Sequence, residues 1–360
     1  MAAYRYLTQH ALTGDILTWN LPVGDVAFGP ELNGPGSFTG TLEPRLADVL
    51  PAFADAGNTL LFAERDDQLL WGGLVWRAEP VGGRYPIEGA GFSSYLTRRH
   101  DLHGNLAGRG PYTAADPCAV IRDVWEYCQS VPDGDLGVHV DTTPAGITVG
   151  TKEQPYTTKP WEAPELATIV RDMTALDQGP EWTERVTWSG RRPQRTVVVG
   201  WPRLGTRRTD LTFTTGVNIT AAVPVLFDGD QYAQVVIGLG AGEGSAKVRT
   251  VDAARNNRLR LESVLDAPAE KSTDRLAART RTERTRRQRL GDITEITVTD
   301  HPAAPIGSWA IGDDIRVTVH DQWTDFDNWC RITAWTLHPN PQGGQEKATL
   351  RLSRPYSTGG

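Results

Sequence analysis

The residues able to do chemistry are easily found in this sequence and do not assemble into a site. Gly238-Leu239-Gly240-Ala241-Gly242-Glu243-Gly244 follows a strand-like run, where a dinucleotide loop would sit. Its spacing fails, because the residue three beyond Gly240 is Glu243 and three beyond Gly242 is Ser245. Ala246–Val251 then reads as extended, so no helix N-terminus is offered to a phosphate, and a flexible loop is expected. His100 and His103 have a spacing that suits a metal on a helix, with His139 and Asp141 as further ligands. They run into Gly104-Asn105 and Gly108-Arg109-Gly110, which is the composition of a solvated loop. Asp325-Phe326-Asp327-Asn328 opens like a calcium loop but lacks the later glycine and distal glutamate. Asp228 and Asp230 read as turn residues. No serine sits in a G-x-S-x-G elbow, and Cys118 and Cys128 have no histidine partner in view. Both fall on or beside an apolar helix stripe, where a free thiol acts as a small hydrophobe. No catalytic, cofactor-binding or metal-binding residue is assigned, and neither an enzyme nor a cofactor is expected.

One charge anomaly stands out. Arg275, Arg279, Arg281, Arg284, Arg286, Arg287 and Arg289 face a single acid, Glu283, a net of +6 over fifteen residues. The rest of the chain therefore carries −13, against −7 for the whole. A helix that is polar all round is usually bridging or paired to an acidic neighbour. Contact with nucleic acid is the competing reading, and it would show as salt-dependent binding.

The elements that must position these residues follow from composition and pattern. At about 150 residues per domain, 360 residues suggest two or three domains. There is no run of 18 apolar residues to span a membrane, and no basic start followed by an apolar stretch to act as a secretory signal. Three cysteines, including Cys330, fit no zinc or redox spacing and suggest folding in a reducing cytoplasm. The acidic balance argues against a general nucleic-acid binder.

Residues 1–98 read as short strands: Tyr4–Leu7, Ile16–Leu21, Ser37–Leu42, Thr59–Arg65, Leu69–Ala78 and Tyr85–Gly89. Turn chemistry at Asn33-Gly34-Pro35-Gly36 and at Asp66-Asp67 separates them, and the second turn makes a hairpin. A small antiparallel barrel is the expectation. Asp116 and Pro117 then open a helix whose stripe is Val120, Ile121, Val124, Trp125 and Cys128. A second helix is expected from about Ala163 to Asp177, followed by strands Trp182–Trp188 and Arg195–Val199. Strands return at Leu211–Thr214, Asn218–Phe227 and Tyr232–Leu239, the last two joined by an Asp228-Gly229-Asp230 hairpin. A third, arginine-rich helix is expected from Asp266 to Leu290, before a β tail at Ile293–Val298, Asp314–Val319, Trp329–Leu337 and Lys347–Leu352.

In order, these blocks resemble minor tail proteins of long-tailed phages infecting actinobacteria. The resemblance rests on Tyr4-Arg5-Tyr6-Leu7, Gly14-Asp15-Ile16-Leu17 and Leu32-Asn33-Gly34-Pro35-Gly36-Ser37-Phe38-Thr39-Gly40-Thr41-Leu42. It continues through Leu70-Trp71-Gly72-Gly73-Leu74, Gly89-Ala90-Gly91-Phe92 and the late Ile311-Gly312-Asp313-Asp314-Ile315-Arg316-Val317. It implies a mainly β fold with α/β insertions, in which two small antiparallel β-barrel domains of tail-tube type carry inserted α/β elements. The implied division is a first barrel at 1–96, an α/β insertion at 97–190, and a second barrel from 191–240 and 292–353. An insertion at 241–291 carries the arginine helix, and 354–360 form a flexible tail.

The implied function is that of a structural tail-tip (baseplate) hub, assembled in the host cytoplasm and located in the virion. Such a hub is a homotrimer that meets a distal-tail ring protein, other tip proteins and the tape-measure protein. Genomic DNA passes through its channel without specific binding. A hexameric distal-tail ring protein and a tail-associated cell-wall hydrolase are the alternatives. The 12 tryptophans also raise a carbohydrate-binding module.

Overall fold

The computed structural model describes residues 2–42, 54–268, 270–339 and 345–355. The chain opens with β1 (Tyr4–His10), β2 (Ile16–Thr18), β3 (Val23–Glu31), β4 (Gly34–Leu42), β5 (Thr59–Arg65), β6 (Gln68–Ala78) and β7 (Tyr85–Gly91). These lie side by side in the order β3-β4-β7-β6-β5-β1-β2. The hairpin between β5 and β6 turns through Asp66 and Asp67, both left-handed at φ 47° and 64°, as the twist of a two-residue hairpin requires. β5 has no polar alternation because both of its faces are covered. Leu61 and Ala63 point into the barrel core, while Leu60 and Phe62 point into the core of the insertion.

β3 is a strand that the sequence pattern conceals. Gly24, Gly29 and Pro30 break its alternation, and its register shifts where they fall. Gly29 is needed there, since a Cβ would lie 1.7 Å from the Trp335 carbonyl oxygen. This close approach marks where the second half of the chain crosses the first.

The insertion holds α1 (Pro117–Ser130), β8 (Val138–Val140), α2 (Leu166–Thr174), β9 (Glu181–Ser189) and β10 (Arg192–Gly200). The Asp116 carboxylate accepts from the Cys118 amide at 2.8 Å, and Pro117 fills the first turn of α1, as expected. Val120, Ile121, Val124, Trp125 and Cys128 are buried against Leu166, Ile169, Val170 and Met173 of α2. α2 is shorter than the pattern predicts. Ala163 is left-handed and Glu165 extended, so Pro164 separates the expected start from the helix. β9 and β10 form a hairpin, with β8 added in parallel.

The remaining elements are β11 (Arg207–Thr214), β12 (Leu226–Phe227), β13 (Val235–Leu239), β14 (Arg249–Ala253) and β15 (Glu262–Asp266). They are followed by α3 (Thr273–Arg287), β16 (Gly291–Asp292), β17 (Glu295–Thr299), β18 (Asp314–His320), β19 (Asp325–His338) and β20 (Lys347–Ser353). β11-β18-β19-β20-β17 form a second curled unit. Ile219 bridges to Val298 of β17 and to Thr215 just beyond β11, which closes it. β19 also pairs with β3, so one continuous twelve-stranded sheet runs through both halves. The chain is thus mainly β, with two barrel-like halves and inserted α/β elements.

Two sequence expectations are corrected here. No hairpin forms around Asp228–Asp230: β12 pairs with β16, whereas β13 pairs antiparallel with β14 and parallel with β15. The third helix does not begin at Asp266, which ends β15, but at Thr273 after the Ser272 cap. Both errors concern pairings over long sequence separation, which local periodicity does not record. Of the expected tail at 354–360, residues 356–360 lie outside the described residues.

Candidate functional site

The residues that suggested chemistry are occupied with holding loops and strands. Asp101 is fully buried and accepts from the amides of His103, Gly104 and Leu106 and from the Thr158 hydroxyl. His103 Nδ1 lies 2.9 Å from the Tyr127 hydroxyl, and His100 bridges to Glu165. The Asp141 carboxylate receives the amides of Thr143 and Val199 at 3.1 and 2.8 Å. Asp327 pairs with Arg316, and Asp325 lies 2.8 Å from His320. Among the described residues, no three His, Cys, Asp or Glu side chains converge as a metal site would need. Cys118, Cys128 and Cys330 are buried and reduced. Burial raises the first two thiols to about 12 and about 11. At neutral pH such thiols are poor nucleophiles.

The glycine-rich stretch has a structural task that the sequence did not reveal. β13, β14 and β15 make a small sheet, and α3 lies across one face of it. A Cβ on Gly238 would come within 2.2 Å of the Thr280 hydroxyl, and one on Gly240 within 2.6 Å of the Glu270 carbonyl. The two glycines let the helix sit directly on the strand, with Leu276 and Thr280 buried in the contact. Thr280 also bonds Thr250 of β14 at 2.8 Å. The stretch is therefore a packing surface at its start, and only its later part is loop.

That packing explains how a helix with almost no apolar face stays folded. Arg284 reaches Asp252 of β14 at 2.6 Å. Arg279 makes two bonds to Asp177, at 2.7 and 2.9 Å, and so ties α3 to the segment after α2. Arg275 pairs with Glu270, and both Arg286 and Arg287 pair with Glu283. Burial alone would raise the Glu283 carboxyl, but the hydrogen bonds from Arg286 and Arg287 hold it below its ordinary value. Arg289 donates to the carbonyls of Gly291 and Trp329 and lies over the Phe326 ring. Arg281 is exposed and has no ion pair among the described residues. Six of the seven arginines are thus engaged within the chain.

A buried ionic junction, not anticipated from sequence, fixes the insertion to the second barrel. Arg331 of β19 is 1% exposed and binds both carboxylate oxygens of Glu181 at the start of β9. The Leu204 amide donates to the same carboxylate at 2.8 Å, and Arg331 also donates to the carbonyls of Gly312 and Leu204. Next to it, Arg203 pairs with Asp314 at 2.9 Å and Arg208 with Asp313 at 3.3 Å.

Compared with solved structures, the whole architecture has counterparts. The 43 kDa tail protein of prophage MuSo2 from Shewanella oneidensis superposes with a TM-score of 0.58 at 15% identity, covering 98% of this chain and 99% of that one. A tail protein from Neisseria meningitidis MC58 gives 0.53 at 14% identity over 97% and 96%. Prophage tail protein gp18 from Listeria monocytogenes EGD-e gives 0.54 at 10% identity over 96% and 94%. The chain shares its fold with phage tail proteins. No family model and no curated protein matches the sequence. At such low identity what persists is the arrangement of strands, which survives wholesale replacement of side chains when volume and patterning are kept.

Part of the outer edge of β1 has no strand partner among the described residues. β1 pairs with β5 along its whole length, but with β2 only around Thr8 and Gln9. Beyond that pairing the Leu21 amide donates to the Tyr6 carbonyl at 2.6 Å, and a cleft of about 530 Å³ beside it is lined by Tyr4, Tyr6, Leu21, Val23 and Asp300. Tyr4 and Arg65 both bond Glu346 at its rim, which fastens the start of β20 to β1 and β5.

Proposed function

We propose that this chain is a structural protein of a phage tail, acting as a tail-tip hub that continues or closes the tail tube and joins it to host-facing tip proteins. The observation that carries this reading is the end-to-end likeness to three phage tail proteins, in which no part of either chain beyond a few percent is left over. Two barrel-like halves joined through β3 and β19 support a trimer, since three copies then supply six similar units to a ring. The partly unpaired edge of β1 supports assembly, because a neighbouring subunit can cover an edge that would otherwise invite aggregation.

In this reading the first barrel, the α/β insertion and a discontinuous second barrel follow the division implied by the sequence, with two shifts. The β9–β10 hairpin extends the first insertion to about residue 200, and the sheet under α3 starts the second insertion at about 228. The helix itself is an internal brace. Its outward cation without an ion pair among the described residues, Arg281, is the part left for an acidic neighbouring subunit. The partners are two further copies, the distal-tail ring, other tip proteins and the tape-measure protein. DNA passes through the channel without specific contacts, and the chain performs no reaction. The site of action is the virion tail tip, after assembly in the host cytoplasm.

Native mass measurement tests the assembly: three copies are expected, whereas six would favour the distal-tail ring reading. Localisation of labelled protein in purified particles tests the role, and a position away from the tail tip would refute it.

A further inference from the structure

Most tryptophans of this chain are buried or half-buried; Trp19 is exposed and stacks beside Trp188, which is half-buried against the core of the insertion. Trp19 follows β2 and Trp188 lies near the end of β9, so one comes from the first barrel and the other from the insertion. Their ring centroids are 6.4 Å apart with an interplanar angle of 26°, and Trp19 remains 43% exposed. They line a cleft of about 530 Å³ together with Arg5, Asp67, Gly190 and Arg191.

The polar rim is organised in advance. Arg5 is held by Glu64, which is nearly fully buried, through Nε at 2.8 Å, and by Asp67 at 3.1 Å. Its Nη1 makes no hydrogen bond among the described residues. Asp67 is 93% exposed and stands at the left-handed tip of the β5–β6 hairpin, with one carboxylate oxygen accepting from Arg5. Arg191 lies over the Trp19 ring at 5.7 Å and has no ion pair among the described residues. Gly190 is left-handed at φ 61° in the turn that joins β9 to β10.

We propose that this cleft binds a pyranose saccharide. A sugar ring carries one face of C–H bonds and a rim of hydroxyls. The C–H face packs on an indole, which offers large apolar area together with a negative π-surface. The hydroxyls accept from Arg5 and Arg191 and donate to Asp67, a pairing that a purely anionic ligand would not use because Asp67 would repel it. A phosphate would instead seek the two guanidinium groups and be indifferent to the indoles. The aromatic pair and the exposed carboxylate together select the sugar.

Saturation-transfer NMR and calorimetry with N-acetylglucosamine trisaccharide, using the assembled wild-type protein, test the proposal. Saturable binding is expected, with transfer to the ring C–H protons. Trp19→Ala should weaken it by about tenfold, equivalent to about 1.4 kcal/mol, while Trp19→Phe retains most of it. Arg191→Ala lies at an exposed turn and should weaken binding without altering the melting temperature. Absence of saturable sugar binding overturns the proposal. So does binding of inorganic phosphate at the same place, or sugar binding unchanged in both the Trp19→Ala and the Arg191→Ala variants.

Discussion

Replacing Arg331 with Met should be among the most damaging single changes in this protein. The side chain is 1% exposed, and Met fills a similar volume, so packing alone predicts a small effect. The electrostatics predict a large one. Without Arg331, the Glu181 carboxylate keeps, among the described residues, the Leu204 amide as a partner, and the Gly312 and Leu204 carbonyls lose a donor. Two unit charges at about 4 Å interact by about 4 kcal/mol at an effective dielectric of about 20. Breaking a buried pair typically costs about 3–5 kcal/mol because one charge is left stranded. The Arg331→Met variant should therefore lose about 3–5 kcal/mol in urea unfolding followed by tryptophan fluorescence. The double variant Arg331→Met with Glu181→Met should recover most of that loss, since a well-packed apolar pair removes the stranded charge. A loss below about 1 kcal/mol for the single variant, or a double variant no better than the single, would refute the reasoning.

Further outcomes follow from other sites. Burial raises the Glu184 carboxyl to about 8 against 4.5 ordinarily, although the amides of Phe92 and Ser93 favour its charged form. The folded chain therefore keeps that proton over a window where the unfolded chain has lost it. Its contribution to stability is complete below about pH 4.5 and falls as pH rises to about 8; Glu184→Gln should flatten this slope in melting curves recorded from pH 5 to 8. Asp101→Ala strips four hydrogen bonds from the loop at 101–106 and from Thr158, and should speed proteolysis there while losing about 3 kcal/mol or more of stability. Arg279→Ala breaks a pair whose acid is largely exposed, so a loss of no more than about 1 kcal/mol, shrinking in high salt, is expected. The three buried thiols should resist a thiol reagent at pH 8 in the native state and all react in urea, as counted by absorbance.

Local rules carried the legible part of this protein. The Asp116-Pro117 start of α1, the apolar stripe after it and the Asp66-Asp67 hairpin were all readable, because caps, periodicity and tight turns are decided within a few residues. The arginine excess was visible too, and so was the choice between pairing and nucleic acid that it posed. What sequence could not hold was the set of partners. β3 hides behind breaks in its alternation, one of which, Gly29, is required by the approach of Trp335, more than 300 positions away. Gly238 and Gly240 looked like loop because only the seated helix shows why a side chain is forbidden there.

Sequence by itself determined the mainly β character, the positions of most elements, and a net charge split between one basic helix and an acidic remainder. Tertiary structure alone decided where that charge goes: Asp177, Asp252 and Glu270, with Glu283 of the helix itself, pair five of its seven arginines within the chain. It also set Arg331 against Glu181 and brought Trp19 beside Trp188. Each of these depends on side chains from distant elements meeting at hydrogen-bond or van der Waals range. Such contacts are fixed by sheet register and chain crossing, which leave no periodic trace in the order of residues.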